Sequence, residues 1–283
     1  TVTNSTLSGN TATDAGGGIL DYYGTLTVKN STLSGNTAAT AGGGLVNYFG
    51  TLTVTNGTLS GNTATSYGGG GIWNDFESTL SITSSTLTGN SAPTDAGGGG
   101  ILNYGGLTLT GSGVSGNTAL TGGGFVNYGT VTASNSSVNN NIATYVAGGI
   151  WNCGTITQPA TDKGGVSING NTTSGNGGGV YNACNSTLTL TNAAINRNSA
   201  LNGGGVYNSA GDTFIGSDTS IKNNTATTDG GGIDNSGTVS LSISASVTSN
   251  TAVSGGGIYS TVVLSPPVPA GVVKNNVPDN IVD

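Results

Sequence analysis

Eleven times along this 283-residue chain an aliphatic residue is followed three positions later by asparagine, and the interval barely drifts. The pairs are Leu7/Asn10, Leu33/Asn36, Leu59/Asn62, Leu87/Asn90, Val114/Asn117, Val138/Asn141, Ile168/Asn171, Ile195/Asn198, Ile221/Asn224, Val247/Asn250 and Val273/Asn276. Successive asparagines lie 26, 26, 28, 27, 24, 30, 27, 26, 26 and 26 residues apart, and alanine stands two positions after each except at Thr173 and Pro278. A period in the twenties describes stacked units that each touch only their neighbours. The repeat runs end to end, so the chain reads as one domain over 1–283. Regular coils extend to residue 261, and 262–283 form an irregular last coil and C-terminal segment.

Gly16 to Ala38 serves as the type unit. Three glycines give a turn in which the backbone takes positive φ or approaches a neighbour closely. A short strand, Ile19-Leu20-Asp21, follows. Its first position over ten copies holds Ile19, Leu45, Ile72, Ile101, Phe125, Ile150, Val180, Val206, Ile233 and Ile258, and therefore points inward. The next position accepts Asp234 beside Trp73 and Trp151, and therefore points outward. In the second strand, Thr25-Leu26-Thr27-Val28, alternation with period two buries Leu26 and Val28. A third strand carries Leu33, ends at Asn36 and leads through Ala38 to the next glycine run.

Helix is excluded by the short segments, the Thr and Gly content and the period of two. β-Branched residues on strands and Gly or Asn at corners agree with each other. The predicted fold is all-β, a single right-handed parallel β-helix of about eleven coils with ~26 residues per coil. Coils stacked at about 4.8 Å make a rod of roughly 50 Å. Asn10, Asn36, Asn62, Asn90, Asn117, Asn141, Asn171, Asn198, Asn224, Asn250 and Asn276 are expected to form an internal amide ladder.

The alternation of [LIV]-x-x-N-x-A with G-G-G-[ILV], as in Leu33–Ala38 and Gly16–Ile19, resembles the GGA[ILV] and FxxN repeats of the chlamydial polymorphic outer-membrane proteins. It is also similar to bacterial secreted repeat proteins of right-handed β-helix type. Gly replaces Ala in the first motif and an aliphatic residue replaces Phe in the second. The resemblance implies surface display and adhesion, and its motifs are scaffold motifs.

Chemistry is sparse. The basic residues are Lys29, Lys163, Arg197, Lys222 and Lys274, on different coils, against 12 acidic residues and no histidine. This excludes a basic footprint for nucleic acid or anionic lipid. Asp14, Asp95 and Asp229 share a register, yet the nearest pair is three rungs apart, roughly 14 Å. That is too far for paired-carboxylate hydrolysis. Asp75 and Glu77 have no basic partner, and Asp212 with Asp218 is the remaining candidate for weak cation binding. The reading is a non-enzyme with no cofactor and no metal, with a pectin-lyase-like carbohydrate-active or carbohydrate-binding β-helix as the alternative.

No run approaches the ~18 apolar residues of a membrane helix, so no membrane insertion is expected. With no Met, the chain reads as a mature product or an excerpt. Cys153 and Cys184 lie just beyond equivalent strand asparagines, Asn152 and Asn182, in neighbouring coils, which predicts a disulfide. These features point to an extracellular or bacterial cell-surface location.

Two exposed features are expected. Trp73, Trp151, Tyr181, Tyr207 and Tyr259 form one aromatic column, and Tyr22, Tyr48, Tyr104 and Tyr128 form a second, suited to a glycan or host-surface contact. Thr-x-Thr pairs such as Thr25/Thr27, Thr51/Thr53, Thr108/Thr110, Thr130/Thr132, Thr155/Thr157 and Thr189/Thr191 resemble the ice-binding face of insect antifreeze solenoids, interrupted by Ser81, Gly106, Lys29 and Ser240.

The ends carry no obvious caps, so copies are expected to stack head to tail into a filament. Val2, Leu7, Val273, Val277, Pro278, Ile281 and Val282 would lie at the joint, with the Val277–Val282 tail completing a coil of the next subunit. The functional expectation is a non-catalytic structural or adhesive surface element. The expected partners are further copies of the chain, with glycans or a host surface as additional candidates, and neither nucleic acid nor a cofactor is expected.

Overall fold

The glycine runs and asparagines of the repeat turn the chain four times per coil. The computed structural model describes residues 1–94, 97–159 and 164–283. Asp95 and Lys163, named above as candidates, lie outside the described residues. The coils stack into a right-handed parallel β-solenoid with four sheets. In the type unit, sheet D holds Ile19–Tyr22, sheet A Thr25–Lys29, sheet B Thr32–Ser34 and sheet C Thr37–Ala38. Among the described residues sheets A to D contain ten, eleven, nine and eleven strands, every one parallel to its neighbour in the next coil.

Three strands per coil were expected and four are found. The extra break falls at the asparagine. The Asn36 backbone N–H donates to the Asn62 side-chain Oδ1 at 3.0 Å rather than to a main-chain carbonyl. The backbone ladder lapses there, the chain turns, and pairing resumes as Thr37 N–H meets the Asn10 carbonyl at 2.8 Å.

The core is a column of aliphatic side chains in register. Leu33, Leu59, Leu87 and Val114 stack on sheet B, and Leu45, Ile72, Ile101 and Phe125 stack on sheet D. Each buried Leu or Ile contributes about 1.5–3 kcal/mol relative to exposure. Such a core is one side chain deep, so each coil depends on the coils above and below it.

The glycine run and the asparagine motif are two halves of one contact. A Cβ on Gly18 would meet the Gly44 carbonyl oxygen at 2.5 Å and the Asn36 amide nitrogen at 3.2 Å. Gly44 against Asn62 and Gly71 against Asn90 repeat that amide approach at 3.2 Å. Any larger residue would push the turn off the ladder.

The outward column of sheet D needs correcting. Leu20 is exposed, but Val46, Leu102 and Val126 are buried, and Asp234 is only 6 % exposed. The side chains do point away from the core cluster. They are covered because the turn preceding each strand folds back over them, with Gly42 against Val46 and Gly122 against Val126.

The C-terminal segment pairs within its own chain. Ile281 and Val282 add to sheet D beneath Ile258 and Tyr259, and Val277 bridges Thr251. Within the single chain this segment closes the last coil in cis. Asn280 accepts from the Asn276 backbone N–H at 3.2 Å and side-chain amide at 3.3 Å, taking the place of a further ladder asparagine.

Candidate functional site

Two amide ladders run the length of the rod. In the first, each amide Nδ2 donates to the Oδ1 of the next asparagine, from Asn10 to Asn36 at 2.9 Å through to Asn250 and Asn276 at 3.0 Å. The second Nδ2 hydrogen reaches the carbonyl of the aliphatic residue one coil back, as Asn36 does to Leu7 at 3.0 Å. Asn36 Oδ1 accepts from both the backbone N–H and the amide of Asn10. An interior rung thus satisfies its whole polar capacity, which is what makes a fully buried amide tolerable.

The second ladder was not foreseen as one. Asn47, Asn74, Asn103, Asn127, Asn152, Asn182, Asn208 and Asn235 join at 2.8–2.9 Å, and Ser260 receives the last bond at 3.0 Å. All eight asparagines are buried. They close the corner between sheets D and A, since Asn47 also donates to the Thr79 carbonyl at 3.0 Å. The signal was an asparagine two positions after each member of the inward sheet-D column from Leu45 to Ile233, Phe125 included. Alternation places that residue inside, where an amide is unexpected unless it has a copy of itself above and below.

Cys153 and Cys184 form a disulfide across neighbouring coils, with Cα atoms 5.0 Å apart and a sequence separation of 31. Closing a loop of that size contributes about 3–4 kcal/mol in the chain-entropy model. It clasps the longest coil, the 30-residue interval from Asn141 to Asn171, to the next.

The two expected aromatic columns interleave into a stripe of two runs, Tyr22 with Tyr48 and Trp73 through Tyr207, and Tyr259 is separated from the second by Asp234 in register. Tyr22 and Tyr48 stack at 5.5 Å, Trp73 meets Tyr104 at 6.3 Å, and Tyr104 stacks on Tyr128 at 4.9 Å. Tyr128, Trp151, Tyr181 and Tyr207 follow at 6.1, 6.3 and 5.1 Å. Most of the stripe is half-buried; Tyr22, at 61 %, is its most open member named above. Tyr23, Phe49 and Tyr67, which the sequence reading passed over, widen it. A cleft of about 360 Å³ is lined by Tyr22 and Tyr48 together with Asp14, Thr40 and Tyr67.

The threonine face is less regular than its pairs suggested. Thr108 aligns with Ser81 and so with Thr53, and Thr189 aligns with Thr157. The pairs Thr108/Thr110 and Thr189/Thr191 are thus one step out of register with Thr25/Thr27. Gly106 and Ile215 break the two ranks.

The acidic candidates do not converge. Asp212 is buried, accepts the Ser186 backbone N–H at 2.5 Å, and has its other oxygen unpartnered. Burial pushes its carboxyl above the usual range, and the Ser186 bond opposes that shift. Asp218 is exposed at a left-handed corner at the far end of the same sheet-A strand, Thr213–Ser217. Asp234 lies between Tyr207 and Tyr259 in register, and burial, then the charge of Asp229, pushes it up to about 7. Among the described residues no three His, Cys, Asp or Glu side chains gather as a metal-holding group. No helix among them is long and apolar enough to cross a membrane.

The fold and the two ladders define a repeat protein of the parallel β-solenoid class. The repeat of Chlamydia polymorphic membrane proteins matches residues 218–236. That segment holds Ile221, Asn224, the Gly230–Gly232 turn and Asn235, hence one rung of each ladder and the glycine run between them. No curated protein and no solved structure matches the chain significantly.

Proposed function

We propose that this chain is a non-catalytic structural and adhesive element displayed outside the cell. The observation that carries the reading is the aromatic stripe. It runs along one face of a rod whose first amide ladder is bonded from rung to rung, so the rod offers recognition a rigid surface. The disulfide supports an oxidising compartment. The short likeness to the Chlamydia polymorphic membrane protein repeat supports surface display. Antibody labelling of intact source cells tests this. Labelling without permeabilisation supports it, and labelling only after permeabilisation contradicts it.

Self-association belongs to the same proposal, with the free edge of the Ile281–Val282 strand as the surface another copy would extend. Sedimentation at rising concentration tests it. Growing species support it, and a constant monomer contradicts it.

A further inference from the structure

The cleft beside Tyr22 is a trough on the outer face of sheet D. Its floor is Leu20, 52 % exposed in the first coil. The stacked Tyr22–Tyr48 pair lines it. Asp14 and Thr40, on equivalent turns of neighbouring coils, line it as well, together with Tyr67 and Trp73, whose rings lie 6.5 Å apart. Asp14 is the single charged side chain lining it. The Thr40 hydroxyl donates to Asp14 Oδ1 at 2.9 Å, which holds the carboxylate in place while it remains exposed.

Those features select a ligand. A ring with an apolar C–H face and hydroxyls at its rim matches a lining of tyrosines and fixed oxygen acceptors. A carboxylate accepting hydroxyl hydrogens makes the stronger, charge-assisted kind of bond. Uronate or sulfated sugars are disfavoured, because no Lys or Arg lines the trough and Asp14 would repel them. A quaternary ammonium also suits aromatic rings beside a carboxylate, but a trimethylammonium head would fill only a small part of about 360 Å³.

We infer that this trough is a binding site for a neutral hexose oligosaccharide, with Tyr22 and Tyr48 as the stacking residues and Asp14 and Thr40 as the hydroxyl-binding residues. The inference deepens the adhesive reading and rests on it for biological context. Binding in solution tests the trough wherever the protein resides, whereas cell labelling tests display, so the two fail separately.

The experiment is calorimetric titration of the full chain with hexamers of β-glucan, β-mannan and polygalacturonate, and with tetramethylammonium. The expected result is saturable binding of a neutral hexamer with Kd of roughly 0.1–1 mM, weakened about tenfold or more by Tyr22→Ala and by Asp14→Ala. Tyr145→Ala, at an exposed tyrosine on sheet C outside both trough and stripe, should leave it unchanged. Circular dichroism melts check that each variant folds. Perturbation of the Trp73 indole resonance in the unmutated protein, with Trp151 unmoved, locates the ligand without any substitution. No binding of either neutral hexamer, tighter binding of polygalacturonate or of tetramethylammonium, or equal affinity in all variants would overturn the assignment.

Discussion

Asp21 stands directly over Asn47 in the second ladder, and the bond that each later rung makes is missing between them. Asp21 Oδ2 and Asn47 Oδ1 are both buried and unpartnered. A carboxylate has no hydrogen to give, so the ladder lacks its first donor. Asp21→Asn supplies an amide N–H at that place and should stabilise the fold by about 1–2 kcal/mol. Urea unfolding measures it, and an unchanged or lower midpoint would contradict the reading.

An interior rung should behave in the opposite way. Asn117→Ala removes the acceptor for the Asn90 amide and backbone N–H, takes the amide donor from the Leu87 carbonyl, and leaves Asn141 Oδ1 with only the backbone N–H of residue 117. At about 1–3 kcal/mol per orphaned group, with partial relaxation, a loss of roughly 3–5 kcal/mol is expected. Thr53→Ala on the outer face should stay within about 0.5 kcal/mol. Similar losses from both would mean the ladder carries no special weight.

Much of this was legible in the sequence. The spacing of Leu33–Asn36 and its copies set the period, and the columns from Ile19 to Ile258 set the inner face, because a one-side-chain core tolerates no polar substitution. The fourth sheet was not legible, since it depends on Asn36 giving its backbone N–H to a side chain. Nor was the covering of Val46 and Asp234, because alternation gives a side chain's direction but not what folds over it. The trough was half legible. Tyr22 and Tyr48 stood out, but Asp14, Thr40 and Tyr67 reach it only through the turn of a separate segment.

Asp234 makes stability depend on pH. Its carboxyl is raised from 3.8 to about 7 in the folded chain, by burial first and Asp229 second. Between those values the folded state holds a proton that the unfolded state has released. Stability should therefore fall as pH rises from about 4 to about 7 and level off above. Asp234→Asn should flatten that slope and raise Tm at pH 8, with little effect near pH 3.5. Parallel pH dependences for the two proteins would exclude Asp234 as the source.

Removing residues 277–283 takes away Asn280, the Val277 bridge and the last sheet-D strand. The Asn276 amide and backbone lose their terminal acceptor, and Ile258 loses its cover. The shortened chain should fray from that end, with faster amide exchange at Asn250 and Ile258 than at Asn117. Uniform exchange along the rod would contradict a capping role.

The central claim is that this solenoid holds a ligand on its surface without transforming it. The most direct measurement is prolonged incubation of the protein with end-labelled neutral and acidic oligosaccharides, with and without Ca²⁺, followed by chromatography of the products. The account predicts that every oligosaccharide is recovered at its original length. Sustained cleavage that disappears on a single substitution such as Asp14→Asn or Asp212→Asn would contradict it.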